Sequence, residues 1–202
     1  LNGYKHMKTI ILGSGKGSNA GALLDASSQN LLGSTEIVGV FSDVAESGVL
    51  KIADSHNIEN DYLRSDSSSA KLTGEDEQLW MDSLSEYNPD LIILAGFMKI
   101  LQDPFLKKFH NSIINIHPSL LPSFKGLRSI ERAFDMGVRI TGCTIHWVNS
   151  DLDGGKIIAQ APVRIMEGDS LEIVTARVHA AEHMLLPWVV SDLSQGIIPF
   201  PK

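Results

Sequence analysis

Apolar positions in this chain fall into short continuous runs, and between them lie stretches in which apolar residues recur every three or four positions. The run at 8–12, KTIIL, is followed by a glycine-rich turn and a helical pattern from about Ala20. This reads as strand, turn and helix. A second strand is expected over 36–43, a helix over 46–57, and a weak strand over 59–65. Residues 65–74 are polar and read as a loop, and 75–87 form an amphipathic helix closed by Pro89. The run DLIILAGF at 90–97 is apolar throughout, as expected of a central parallel strand buried on both faces. Asp103 and Pro104 open a short helix as cap and first-turn proline, and 112–117 is the next strand. A loop over 119–127 then leads to a helix over 129–137 that ends on Gly137.

The alternation changes after that point. ITGCTIHWV at 140–148 and KIIAQAPVRI at 156–165 are two strands joined by the turn-rich NSDLDGG, which predicts an antiparallel hairpin on the sheet edge. The stretch 168–193 is one long helix, with Asp169 and Glu172 spaced as a capping box and Pro187 expected to kink or interrupt it. The fold expected is α/β: a mostly parallel, Rossmann-like sheet with helices on both faces and an antiparallel C-terminal edge hairpin.

Composition narrows the function. The chain has 202 residues, 43% apolar and 20% charged, an ordinary balance for one domain with a substantial core. A net charge of −7 without a long basic run argues against a nucleic-acid partner. No apolar stretch approaches a membrane span, and a single cysteine, Cys143, fits a reducing, cytoplasmic setting. Residues 1–6, before Met7, show no pattern and are expected to be an extension outside the fold.

Three segments carry chemistry. Asn115 and His117 alternate onto the same face of a strand, and Pro118 then ends its pairing. Ligands of open α/β sheets bind at that carboxyl edge. A histidine there can exchange protons near neutral pH, and an asparagine can donate a hydrogen bond to an oxyanion. Asp151 and Asp153, in the hairpin link, are candidates for the carboxylate that would orient His117 and favour its imidazolium form. The turn GSGKGSN at 13–19 is neither a P-loop, because Lys16 is followed by Gly17, nor a complete dinucleotide fingerprint, because its third glycine position holds Ser18. It suits a single phosphate monoester at a helix N-terminus, or alternatively a plain turn with a capping Ser or Asn.

In order and spacing, GSN after the glycine turn, LAGFMKIL at 94–101, NIHPSLLP at 115–122, TGCTIHWV at 141–148 and LDGG at 152–155 resemble the folate-dependent phosphoribosylglycinamide formyltransferases. The resemblance implies a single formyltransferase domain over 7–202, acting in purine biosynthesis. It implies a catalytic trio of Asn115, His117 and Asp153, and a substrate-phosphate site at Gly17, Ser18 and Asn19. It assigns His179 and Glu182 to the glycinamide substrate. It assigns Met98, Lys99, Ile100 and Leu101, together with Asn115 and with Asn149, Ser150, Asp151, Leu152 and Asp153, to the folate. The implied ligands are glycinamide ribonucleotide and 10-formyltetrahydrofolate, the latter a co-substrate, with no metal or bound cofactor; a homodimer is compatible with it. Two positions depart from the pattern. Lys125-Gly126-Leu127-Arg128 stands where such proteins commonly carry PGLH, and no arginine stands near Thr73 to meet the folate tail, the nearby basic residues being Arg64 and Lys71.

Other readings compete. A formyltetrahydrofolate hydrolase would use a similar trio but lacks GSN and normally has a further N-terminal domain, and a methionyl-tRNA formyltransferase needs a further C-terminal domain and a basic surface. A non-catalytic nucleotide-binding module could use the glycine turn with Asp43. His179-Ala180-Ala181-Glu182-His183 matches an inverted zinc-peptidase motif, but no third ligand follows it. Trp80, Trp147, Trp188 and Cys143 read as core, and His146 either faces the cleft of His117 or is a satisfied core histidine.

Overall fold

The computed structural model describes residues 6–66 and 68–202; the expected extension, apart from an exposed His6, lies outside the described residues. Seven strands form one sheet in the order β3-β2-β1-β4-β5-β6-β7. The strands are β1 (Met7–Leu12), β2 (Thr35–Ser42), β3 (Asn60–Tyr62), β4 (Leu91–Leu94), β5 (Ile113–His117), β6 (Ile140–Trp147) and β7 (Ile157–Arg164). The first five run parallel. β6 is antiparallel to β5, and β7 closes the edge as an antiparallel hairpin with β6. The alternation seen in the sequence is thus the topology observed, a Rossmann-like α/β sheet. Its strand order reverses between β1 and β4, where such sheets open a crevice.

Successive residues of β1 feed opposite layers, as the pleat requires. Ile11 joins a core with Leu23 and Leu24 of α1 (Ser18–Ser28), Val49 of α2 (Gly48–Ser55) and Leu186 and Val190 of α6 (Leu171–Ser194). Ile10 and Leu12 join the opposite core, with Trp80 and Leu84 of α3 (Gly74–Ser85) and Phe105 of α4 (Asp103–Lys108). A third, smaller cluster packs Ile130 of α5 (Ser129–Asp135) against Val174 and Val178 of α6 and Val163 of β7.

Several local expectations are corrected. The N-cap of α4 is Gln102, so Asp103 is already helical and places its charge in the first turn. The N-cap of α6 is Ser170, whose hydroxyl accepts from the Ile173 amide. Asp169 accepts instead from the Met166 amide and both terminal nitrogens of Arg177, so the carboxylate clamps the preceding turn. Pro187 does not interrupt α6. A mid-helix proline costs about 3 kcal/mol, but buried Leu185 and Leu186 before it and Val189, Val190 and Leu193 after it hold both halves on the sheet. Trp188 is 56% exposed, not core, because it lies on the outward side of that helix. Trp80, Trp147 and Cys143 are buried as expected.

Candidate active site

The carboxyl end of β5 gathers three of the predicted residues and a fourth. In the β5–β6 register, Asn115 lies opposite His146 and His117 opposite Thr144. Opposed residues of an antiparallel pair share a face. His146 Nδ1 is 2.9 Å from the Trp147 carbonyl, so the proton sits on Nδ1 and Nε2 is left to accept. The Asn115 amide donates to that Nε2 at 3.1 Å. Burial holds the His146 pKa below its ordinary value, keeping the ring neutral and able to accept. His146 therefore orients Asn115: it is a buried histidine with both ring nitrogens satisfied, and one of its partners is a candidate of the site.

His117 is 6% exposed, and each of its ring nitrogens faces an oxygen. Nδ1 lies 3.4 Å from Asp153 Oδ2, and Nε2 lies 3.0 Å from the Phe124 carbonyl. The first is an ion-pair distance, and the second is a hydrogen bond that turns Nε2–H toward the loop backbone. Asp153 has a left-handed backbone, φ 50°, in the 149–155 link. Its Oδ2 also accepts from the Gly126 amide at 2.7 Å, and its Oδ1 lies 3.7 Å from His146 Nε2. One buried carboxylate thus joins β5, β6 and the 119–128 loop. Thr144 fixes that loop: its hydroxyl donates to the Ser119 carbonyl and accepts from the Leu121 amide and from Gln160. Neither the Phe124 carbonyl nor the Gly126 amide carries any side-chain signal in the sequence.

The glycine turn is shaped by a close approach. Gly17, the N-cap of α1, has φ 79°, and a Cβ there would stand 2.6 Å from the Val49 Cα. No side chain caps α1, so its first amides point out of the turn unclaimed by a cap, which excludes the reading of a turn with a capping Ser or Asn. Ser18 is exposed in that first turn. The Asn19 amide donates to Glu182 Oε2 at 3.2 Å, while its Oδ1 is buried without a partner. Glu182 is 3% exposed, and burial pushes its carboxyl up to about 7 against the opposing hydrogen bond from Asn19. The structure thus brings the phosphate-turn and glycinamide candidates side by side.

His179 and His183 stack at 6.5 Å, and burial lowers both pKa values. Glu182 turns to Asn19 rather than joining them, and among the described residues no three His, Cys, Asp or Glu side chains form a metal-holding group. Asp43 Oδ1 accepts from the Ser14 hydroxyl at 2.5 Å, so that oxygen is engaged within the fold.

The 98–101 segment is divided. Met98 is 58% exposed and Ile100 partly so. The Lys99 ammonium is drawn away, donating to the carbonyls of Asp66 and Ser69, and Leu101 is buried in the core under α3 and α4. Both side chains are thus engaged within the fold, because a buried ammonium needs carbonyl partners and Leu101 completes the core. In the hairpin link, Asn149 accepts from the Asp151 amide, Asp151 pairs with Lys125 at 3.2 Å, and Ser150 and Leu152 are exposed. Arg128 is exposed at the N-cap of α5 with φ 56°.

A histidine, an amide donor and a shared carboxylate at the carboxyl edge of a Rossmann-like sheet, near an uncapped helix N-terminus, equip the site for group transfer through an oxyanion. Comparison with known proteins gives the same class: the chain belongs to the formyl transferase family, whose profile matches residues 7–190. The phosphoribosylglycinamide formyltransferase of Escherichia coli (strain K12) is 36% identical over 190 residues, covering 94% of this chain and 88% of that protein. The trifunctional purine biosynthetic protein adenosine-3 of Bos taurus is 38% identical over 96% of this chain, but the chain spans only 19% of that protein's length. Among solved structures, glycinamide ribonucleotide transformylase 1 from Symbiobacterium toebii superposes with a TM-score of 0.88 at 34% identity, covering 96% of this chain and 90% of that one. The phosphoribosylglycinamide formyltransferase from Anaplasma phagocytophilum gives 0.85 at 41% identity, covering 95% and 88%.

Proposed function

We propose that the protein transfers a formyl group from 10-formyltetrahydrofolate to the amine of glycinamide ribonucleotide, a step of purine biosynthesis. The observation that carries this reading is the cluster of Asn115, His117 and Asp153 on one strand edge, with His146 orienting the amide. The domain is read as residues 7–202, acting as a cytoplasmic enzyme whose lone thiol stays reduced. Among the described residues no helix is long and apolar enough to cross a membrane.

In the proposed reaction the substrate phosphate rests on the amides of Gly17, Ser18 and Asn19, where an uncapped helix N-terminus favours an anion. Glu182, with His179 nearby on α6, faces the glycinamide end. Met98 and Ile100 and the 149–153 link wall the folate, the main chain of Lys99 and Leu101 completing the first of these. The amine attacks the formyl carbon, and the negative charge collects on the formyl oxygen. The second N–H of Asn115 and the His117 imidazolium, its Nε2–H released from the Phe124 carbonyl, stabilise it; one such donor typically supplies about 3–4 kcal/mol. The proton lost by the amine passes to the folate N10 with the help of His117, the carbon–N10 bond breaks, and Asp153 balances the imidazolium charge. Holding two substrates in one cleft can supply a further 7–11 kcal/mol, roughly. The reaction is complete with the folate as co-substrate and needs no resident cofactor.

The test is formyl transfer from a 10-formylfolate analogue, followed by absorbance, with and without glycinamide ribonucleotide. The expected result is turnover that requires the ribonucleotide and is lost in His117→Ala. Turnover with water alone would establish the hydrolase instead, and binding without turnover in either condition would favour a non-catalytic nucleotide-binding module.

A further inference from the structure

One hydroxyl ties together the three strand ends that flank the crevice. Ser14, just past β1, sends its amide to the Gly96 carbonyl beyond β4 at 3.0 Å. Its Oγ lies 2.5 Å from Asp43 Oδ1 beyond β2, and 2.8 Å from the Met98 amide. The direction of each bond follows from the partners. Asp43, as a carboxylate, can only accept, so the hydroxyl proton goes to it. The oxygen lone pairs are then turned to Met98 N–H, which can only donate. The turn is held on its other side as well, with Val49 N–H donating to the Gly15 carbonyl at 3.1 Å and Gly13 N–H to the Phe41 carbonyl at 3.1 Å. The 98–101 segment is tied at a second point, where Ile100 N–H donates to the Ala70 carbonyl and Leu72 N–H to the Ile100 carbonyl.

From this geometry we infer that Ser14, with its hydroxyl aimed by Asp43, is a positioning residue that sets the start of the 98–101 segment against the phosphate turn. The inference rests on the reading of 98–101 as a wall of the folate site. Ser14 touches neither reacting atom. It acts through the Met98 amide, and Met98 is the most exposed side chain of that segment. The same residue belongs to the turn that leads into the phosphate-binding amides, but that turn has its own ties at Gly13 and Gly15, so the hydroxyl bears on the 98–101 side alone.

Initial rates on the full chain test this, with each substrate varied at saturating levels of the other, for wild type, Ser14→Ala, Ser14→Thr, Asp43→Ala and the Ser14→Ala/Asp43→Ala pair. Removing the hydroxyl should raise KM for the formyl donor about three- to tenfold, the range of one lost hydrogen bond. The value of kcat and KM for the ribonucleotide should stay within about twofold. Threonine, which keeps the hydroxyl, should restore the donor KM. The double variant should be no worse than Ser14→Ala, because the two residues act in series. An unchanged donor KM in Ser14→Ala overturns the inference, and so does an equal loss in kcat and both KM values. If wild type transfers no formyl group at all, the proposed function fails. Calorimetric titration of folate into wild type and Ser14→Ala then still decides the inference: weaker binding in the variant supports it, and equal binding overturns it. Melting curves identify a variant that has not folded, in which case Asp43→Ala carries the comparison.

Discussion

Replacing Glu182 with glutamine tests whether a buried acid beside the phosphate turn shapes the protein's response to pH. The carboxyl ordinarily titrates near 4.5 and is pushed up to about 7, burial being the dominant cause. A raised pKa means that the folded state holds its proton where the unfolded state has released it. Below 4.5 the acid is protonated in both states, and its contribution to stability is fully present. Between 4.5 and about 7 the unfolded chain ionises while the fold does not, so stability falls as pH rises. Above about 7 the fold must carry a buried carboxylate, and the loss is complete. At about 1.4 kcal/mol per pH unit, the interval corresponds to a loss on the order of 3 kcal/mol. Glutamine has the same shape and can still accept from Asn19, but cannot ionise. Urea denaturation of wild type and Glu182→Gln at pH 4.5, 6, 7 and 8.5 isolates this group, since distant titrations cancel in the difference. The variant should gain on wild type steadily up to pH 7 and by a constant margin beyond. His179 and His183 neighbour Glu182, so they can sharpen the transition but not reverse its sign. A stability difference that does not change with pH would refute the burial argument. The same variant should weaken ribonucleotide binding above pH 7, where only wild type carries the charge that could meet the substrate amine.

Two further perturbations separate geometry from chemistry. His146→Ala should lower kcat about tenfold by freeing the Asn115 amide to rotate, and combining it with Asn115→Ala should cost little more than Asn115→Ala alone; additive losses in that rate cycle would show that the two act separately. Gly17→Ala forces an alanine into φ 79° with its Cβ 2.6 Å from the Val49 Cα, so thermal unfolding should show a loss of at least about 1–2 kcal/mol together with a higher KM for the ribonucleotide; a variant as stable as wild type would mean that the turn adjusts without strain.

Much of this protein was legible in its sequence, because the relevant rules are local. The apolar run at 90–97 marks a central strand, realised over Leu91–Leu94 because the chain turns at Gly96, and the two-residue pleat puts Asn115 and His117 on one face wherever the strand lies. The turns could be read from Gly17, Pro118 and Gly137 because their backbone demands are intrinsic to those residues. Where local rules compete with burial, the sequence misleads. Pro187 stays inside α6 because the core on either side outweighs one missing hydrogen bond, and Ser170 rather than Asp169 caps that helix because Arg177 claims the carboxylate.

Only the tertiary structure decided which partners meet. His146 becomes the orienter of Asn115 through the β5–β6 register, and no spacing in the chain encodes a pairing across 31 residues. The Lys99 ammonium is satisfied by two carbonyls of a distant loop, and one oxygen of Asp43 is taken by Ser14. Glu182 owes its raised pKa to residues packed around it from other elements. Sequence determines periodicity and the chemistry each side chain can perform. Register, burial and the competition for hydrogen-bond partners are properties of the assembled fold, since each depends on groups far apart in the chain being desolvated together.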